Sequence, residues 1–168
     1  SNTTGSSDTI NVTVNSKDSS ADFAANTTSF LLDSLTTTGF ETVNLFSTQL
    51  DDKGSSVNGV NQVDGITNAD LTTLNIMGDA NLKITSSTIN AKTIDAASFT
   101  GNLSVTAGGI NASGGIQTVT GGTGDDTISI AYANLTNKVT LDGGDGTDTL
   151  GLVDHADFSG TTNSKKLA

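Results

Sequence analysis

Two nine-residue stretches in the carboxyl-terminal part of the chain combine glycines with one aspartate at a fixed position. GGTGDDTIS begins at Gly121 and GGDGTDTLG begins at Gly143, and both fit the pattern G-G-x-G-x-D-x-U-x, in which U is a large apolar residue. Glycine tolerates a positive φ, so a turn of this composition can direct its main-chain carbonyls to one side. The sixth position adds a carboxylate, from Asp126 and Asp148 respectively. Main-chain and carboxylate oxygens without a soft ligand nearby suit a hard cation of the size of Ca²⁺.

The spacing of the two copies predicts how they are placed. Gly121 and Gly143 are 22 residues apart, whereas one coil of a parallel β-roll takes two nonapeptides, about 18 residues. We therefore expect the second turn to lie one coil further on, over the first, with a Ca²⁺ ion between Asp126 and Asp148. The carbonyl ligands are predicted to come from four glycines, Gly122, Gly124, Gly144 and Gly146. The alternative is a pair of Gly/Asp turns without an ion.

These paired motifs resemble the RTX (repeats-in-toxin) calcium-binding β-roll. The surrounding pattern is similar to the large Gram-negative S-layer and RTX surface proteins that are secreted by the type I route. It comprises LTTLNIMGDANLKIT, KTIDAASFTGNLSVTAGG and IQTVTGGTGDDTISI, and the resemblance spans residues 41–152. It implies that the chain binds calcium and that it lies outside the cell, at the bacterial surface.

Repeated phrases before the motifs indicate the elements that position them. Residues 41–46 (ETVNLF) align with residues 72–77 (TTLNIM), with weaker echoes at 92–96 (KTIDA) and 117–121 (QTVTG). A second phrase, NLKIT from Asn81, recurs as NLSVT from Asn102. The intervals are those of parallel β-helix coils with turns of variable length. The sequence therefore predicts an all-β, right-handed parallel β-solenoid (β-helix) that ends in a short RTX-type β-roll.

This reading divides the chain into four parts. Residues 1–40 are predicted to form a strand (DTINVTVN) and an N-terminal cap over the exposed strand edge. Residues 41–120 form the β-helix coils, with an inserted loop at 49–69, and residues 121–153 form the calcium-binding roll. Residues 154–168 form a polar tail. The inserted loop and its border contain Asp51, Asp52, Asp64 and Asp70, which we interpret as solvated carboxylates, with a second calcium site as the alternative.

Composition excludes several classes of function. Of the 168 residues, 33% are hydrophobic and 4% aromatic, which is too few for a thick globular core but enough for coils that stack a few inward side chains. The net charge of −11 disfavours nucleic acid and anionic lipid as partners. The sequence contains no apolar run of about 18 residues, so we expect no membrane insertion.

The sequence lacks the residue combinations that common catalytic sites require. His155 is the single histidine, the chain lacks cysteine and arginine, and no serine lies in a G-x-S-x-G motif. We therefore expect that the chain is not an enzyme.

The function predicted from the sequence is structural. The chain is expected to be a calcium-stabilised segment of a secreted S-layer protein, in which Ca²⁺ drives folding and assembly outside the cell. The expected partners are calcium, neighbouring copies of the chain in a lattice, and surface polysaccharide bound through other parts of the parent protein. Two alternatives stay open: an RTX adhesin or carbohydrate-binding segment, and a non-catalytic carrier module of a type I-secreted enzyme. On this view, Asp126→Ala lowers the melting temperature in calcium but hardly in EDTA.

Overall fold

Short alternating runs of apolar and polar residues form strands along the whole described chain. The computed structural model describes residues 5, 7–17, 30–50, 60–85, 89, 91–107, 118–131 and 139–153. Within these ranges the strands are β1 Thr9–Lys17, β2 Phe30–Leu32, β3 Leu35–Thr36, β4 Thr42–Leu50, β5 Val60–Val63, β6 Ile66–Thr67, β7 Thr73–Gly78, β8 Asn81–Ile84, β9 Thr93–Asp95, β10 Leu103–Ala107, β11 Thr118–Thr120, β12 Thr127–Ala131, β13 Thr140–Asp142 and β14 Thr149–Val153.

The strands assemble into two large sheets and one small sheet. Sheet A has the order β1-β4-β7-β9-β11-β13, and sheet B has the order β14-β12-β10-β8-β5-β2. The third sheet consists of β3 and β6. Every strand pairing is parallel, and each circuit of the chain adds one strand to each large sheet. The predicted all-β parallel solenoid is therefore confirmed, with six stacked coils in the described chain.

Sheet A repeats one three-residue pattern in every coil. The first position is threonine throughout, at Thr9, Thr42, Thr73, Thr93, Thr118 and Thr140. The second is apolar, at Ile10, Val43, Leu74, Ile94, Val119 and Leu141. The third is polar, at Asn11, Asn44, Asn75, Asp95, Thr120 and Asp142. Because side chains alternate between the faces of a strand, the apolar column faces inward and the other two face outward.

The apolar columns of the two large sheets form the core inside the coils. Leu74, Ile94 and Val119 of sheet A are fully buried. On sheet B, the column Val63, Ile84, Val105 and Ile128 is equally enclosed. Each inward side chain packs on the equivalent residue one coil away, which is how a chain with few apolar residues still builds a continuous core. The repeats found in the sequence correspond to this register.

The N-terminal boundary of the solenoid differs from the prediction. Coils begin at Thr9 rather than Glu41, because β1 pairs with β4 over its whole length. Part of the region assigned to a cap is strand: Phe30–Leu32 pairs with β5, and Leu35–Thr36 pairs with β6. Residues 18–29 of the predicted cap and the tail 154–168 lie outside the described residues.

The prediction of an inserted loop at 49–69 is also wrong in part, because strands lie within this range. Val60–Val63 and Ile66–Thr67 are strands of the second coil, while residues 51–59 lie outside the described ranges. Strand β5 could not be predicted from the sequence, because a polar residue, Asn61, occupies an inward position and is fully buried. Its Nδ2 donates to Ser47 Oγ (2.9 Å), and Ser47 Oγ donates to the carbonyl of Ala80 (2.8 Å).

Candidate metal centre

The two glycine-rich turns lie directly over one another. Strands on both sides are in register, with Thr120 beside Asp142 and Thr127 beside Thr149. Main-chain hydrogen bonds continue through the turns: Gly121 N donates to Asp142 O (2.7 Å), and Asp145 N donates to Gly122 O (3.0 Å). The stacking predicted from the 22-residue interval is therefore confirmed.

The glycines allow the turns to approach closely. Gly144 and Gly146 have φ of 89° and 121°, which side chains other than hydrogen disfavour. A Cβ on Gly144 would lie 2.1 Å from the Gly122 carbonyl oxygen, and one on Gly146 would lie 2.3 Å from the Gly124 carbonyl oxygen. The carbonyls of Gly122 and Gly124 thus point from the first turn at the second. Use of the Gly144 and Gly146 carbonyls as ligands stays a prediction.

Asp126 is an inward-facing, almost fully enclosed carboxylate. It is 1% exposed and accepts two main-chain hydrogen bonds. Leu103 N of the preceding coil donates to Oδ1 (2.8 Å), and Gly122 N of its own turn donates to Oδ2 (2.7 Å). Hydrogen bonds to an ionised acceptor are stronger than neutral ones. Asp126 therefore ties the first glycine turn to the coil before it.

Asp148 repeats this arrangement one coil later. Its Oδ1 accepts from Asp126 N (3.0 Å), as Asp126 accepts from Leu103 N. The carboxylate of Asp148 therefore reaches back to the fifth coil, as that of Asp126 reaches back to the fourth, but Asp148 is exposed whereas Asp126 is buried. The two carboxylates share one column and are offset by one coil, rather than facing each other.

The oxygen atoms at the contact between the turns come from both of them. The first turn contributes the carbonyls of Gly122 and Gly124, and the second contributes the Asp148 carboxylate and the carbonyl of Gly143. The Gly143 oxygen would lie 2.0 Å from a Cβ on Gly121, so it points toward the first turn. Sequence reasoning missed Gly143 as a ligand candidate, although its place as first glycine of the motif was visible. An all-oxygen set of this kind fits a hard divalent cation.

A ladder of side-chain oxygens beside the glycine turns was also not predicted from the sequence. Asn81 Oδ1 accepts from Asn102 N (2.8 Å), Asn102 Oδ1 accepts from Asp125 N (3.1 Å), and Asp125 Oδ1 accepts from Thr147 N (2.8 Å). The signal in the sequence is an Asn or Asp immediately before the inward residue of sheet B, as in Asn81-Leu82 and Asn102-Leu103. These hydrogen bonds join the turns between sheets A and B in coils three to six.

Acidic side chains do not gather into a larger cluster. Over the parts of the chain that the structure covers, no group of three or more His, Cys, Asp or Glu side chains is placed to hold a metal ion. A cation between the turns must therefore take most of its ligands from main-chain carbonyls. Asp51, Asp52 and His155 lie outside the described residues.

Two aspartates that were considered for a second site stabilise coil corners instead. Asp64 Oδ1 accepts from Thr85 Oγ1 (2.7 Å) and from Gln62 Nε2. The hydrogen bond from Thr85, then that from Gln62, lowers the pKa of Asp64; burial opposes this shift, and the charge of Lys83 adds the least to it. Asp70 Oδ2 accepts from Gly39 N (3.1 Å).

No protein-family model, curated protein or solved structure matches the chain. Among the residues with described positions, no helix has the length and hydropathy needed to cross a bilayer.

Proposed function

We propose that the chain is a calcium-stabilised structural segment of a secreted S-layer protein at the bacterial cell surface. The observation that carries this proposal is the direct stacking of the two glycine turns, which brings the carbonyls of Gly122, Gly124 and Gly143 and the Asp148 carboxylate to the contact between the fifth and sixth coils. Solenoids stack their repeats in one direction and present extended repeated surfaces, which suit contacts with neighbouring molecules in a lattice.

The charge of the two turns supports a cation in this position. Residues 121–126 and 142–148 contain five aspartates, Asp125, Asp126, Asp142, Asp145 and Asp148, and no lysine or arginine. When bound, Ca²⁺ supplies the positive charge that offsets these carboxylates. Asp148 and the nearby carbonyls hold the ion. Asp126 positions the first turn, because its carboxylate joins Gly122 N of that turn to Leu103 N of the coil before it.

The neighbouring coils provide a second support. Along one inward column of sheet B, Leu82 and Leu103 are followed by Asp126 and Asp148. In the fourth coil the corner is filled by Phe99, which is fully buried, and Leu103. The glycine turns have no side chain of this size, so the apolar filling of one corner is replaced by carboxylates and carbonyls. A cation stabilises that arrangement in the way that apolar packing stabilises the coil before it.

With the calcium affinity that is usual for extracellular modules, the site is occupied outside the cell and not in the cytosol. Such modules bind calcium with a Kd of about 10⁻⁴–10⁻³ M. At cytosolic calcium concentrations the site is then unoccupied and the last coil is weakly held, whereas outside the cell the bound ion stabilises it. Folding of the last coil is thereby coupled to export.

The test combines a calcium titration with two matched charge substitutions. Circular dichroism and thermal unfolding of the wild-type chain are expected to show increased strand content and melting temperature over about 10⁻⁴–10⁻³ M calcium. Asp148→Asn keeps an oxygen for the bond from Asp126 N but removes a charge, so calcium affinity should fall about tenfold, as expected for a loss near 1.4 kcal/mol. Asp95→Asn is the control, because Asp95 is exposed, accepts from Ala97 N (3.0 Å) and lies outside the glycine turns.

Absence of a calcium response, or equal responses of the two variants, contradicts the calcium site. Electron microscopy of the same calcium-loaded samples addresses the role of the parent protein. A two-dimensional lattice supports the S-layer assignment, whereas glycan binding without a lattice favours an adhesin.

A further inference from the structure

The apolar pattern of strands β4 and β7 does not by itself fix how these two strands are paired. Inward residues occupy every second position, and Val43 lies opposite Leu74 as Leu45 lies opposite Ile76. A shift of one residue would turn these side chains outward, but a shift of two residues would keep them all inward. Selection of the observed register over that alternative needs contacts that a two-residue shift removes.

A buried polar network lies where β4 passes the end of β7, and it contains such contacts. Ser47 and Asn61 are fully buried. Asn61 Nδ2 donates to Ser47 Oγ (2.9 Å), and Ser47 Oγ donates to the carbonyl of Ala80 (2.8 Å). The same amide is within hydrogen-bonding distance of the carbonyls of Thr48 (3.1 Å) and Val14 (3.3 Å). The network therefore connects the first, second and third coils.

The main chain at Ser47 requires one particular neighbour in the third coil. The Ser47 carbonyl accepts from Asp79 N (3.1 Å) and Ala80 N (3.2 Å). Gly78 lies opposite Ser47 with a φ of 111°, and a Cβ there would clash with the Ser47 carbonyl oxygen. A two-residue shift would bring Ile76 or Ala80 to this place, and neither side chain suits a positive φ. The observed pairing thus depends on Ser47 lying opposite glycine.

Leucine occupies the position of Asn61 in the next two coils. Asn61 pairs with Leu82, and Leu82 pairs with Leu103. The column therefore accepts an apolar side chain, and a buried amide is not needed to fill it. Burying the amide costs free energy unless it is hydrogen-bonded, and its partners are in reach only in the observed register. Buried polar residues of coiled coils select one register in this way.

We propose that Ser47 and Asn61 form a register lock, a buried hydrogen-bond network that selects the observed pairing of the first three coils. In a pairing shifted by two residues, the amide and the hydroxyl lose their acceptors although the apolar contacts are kept. The lock thereby also aligns the outward asparagines, since Asn75 Nδ2 donates to Asn44 Oδ1 (2.8 Å) only in this register. The inference does not depend on calcium, because the glycine turns belong to the fifth and sixth coils.

Cysteine pairs report the register directly, because the chain contains no cysteine. Thr42 lies opposite Thr73, and the strand spacing of about 4.8 Å is within the range that a disulfide bridges. Thr42→Cys with Thr73→Cys therefore reports the observed register. Thr42→Cys with Asn75→Cys reports a two-residue shift, because the diagonal distance of about 8 Å is otherwise too long. Asn44→Cys with Thr73→Cys reports the shift in the opposite direction.

The test compares these pairs in the wild-type chain and in a lock variant that carries Ser47→Ala and Asn61→Leu. Each protein is refolded from urea and then oxidised. The wild-type background should give the Thr42–Thr73 disulfide, with the shifted disulfides near background. The lock variant should retain its strand content by circular dichroism and raise the yield of a shifted disulfide about tenfold or more. Asn61→Leu alone keeps the bond from Ser47 to Ala80 and should give an intermediate yield.

The matched control is Asn11→Ala, combined with the Thr42–Asn75 cysteine pair. It removes another side-chain hydrogen bond between neighbouring coils, that from Asn44 Nδ2 (2.8 Å), but at an exposed position. This control should keep the wild-type disulfide pattern. An unchanged pattern in the lock variant would mean that other contacts hold the register, and it overturns the proposal. Equal shifts in the control overturn it as well. Loss of the native disulfide without a shifted one would mean that the network only stabilises the fold, which also overturns it.

Discussion

The carboxylate of Asp126 accepts hydrogen bonds from two main-chain amides that belong to different coils. One donor is Leu103 N and the other is Gly122 N, and the side chain is 1% exposed. A buried amide that loses its acceptor costs the free energy of desolvating that amide. Asp126 therefore stabilises the fifth coil whether or not a cation binds, while Asp148 lies between the fifth and sixth coils, where it accepts from Asp126 N.

This arrangement changes the outcome expected for Asp126→Ala. Removing the carboxylate leaves two amides without their acceptor, which should lower the free energy of unfolding by about 2 kcal/mol or more. Thermal unfolding should show the loss in EDTA as well as in calcium, in contrast to the calcium-only effect expected from the sequence. Asp148→Asn is the comparison, since it should reduce only the calcium-dependent part. An Asp126→Ala melting temperature that is unchanged in EDTA would contradict the structural role of Asp126.

Strands whose inward positions are apolar could be predicted from the sequence, and the others could not. The phrases ETVNLF and TTLNIM show the alternation of β4 and β7 directly, and the glycine motifs show the last turn by their spacing. Strand β5 was hidden because Asn61 replaces an apolar residue, and β3 and β6 have only two residues each. At the proposed metal site, residue types and stacking were predictable. The one-coil offset of the carboxylates was not, since it depends on which amides each side chain reaches.

The turn at residues 143–148 depends on glycine at one position in particular. Gly144→Ala forces a side chain into a positive φ, which costs about 1–2 kcal/mol. It also places Cβ 2.1 Å from the Gly122 carbonyl oxygen. We expect a lower melting temperature and weaker calcium binding, measured by thermal unfolding and calorimetric titration. In the control Gly65→Ala, the nearest atom is the Asp33 carbonyl oxygen at 3.3 Å and φ is not positive, so its loss should be smaller. Equal losses would argue against the close turn-to-turn approach.

Each coil of the molecule contacts mainly the coils directly before and after it. Sheets A and B run in chain order, and strand pairs such as β1 with β4 and β10 with β12 join consecutive coils. Stability in such a stack is close to a sum of coil and interface contributions. The glycine turns belong to the last two coils, so calcium is expected to act locally, and the earlier coils keep their apolar packing without it.

Hydrogen exchange measures this locality coil by coil. Two amides of the sixth coil donate to carbonyls of the fifth coil, Asp145 N to Gly122 O (3.0 Å) and Thr149 N to Asp126 O (2.8 Å). In calcium these amides should be protected, and in EDTA they should exchange much faster, because the acidic turns then repel without an intervening cation. Amides of β4 and β7, three or more coils away, serve as the internal control and should keep their protection. Leu103 N of the fourth coil and Gly122 N of the fifth should change little, since the Asp126 carboxylate accepts from both without the ion. Uniform loss of protection in EDTA would mean that the solenoid unfolds as one unit, and uniform retention would mean that no cation stabilises the last coil.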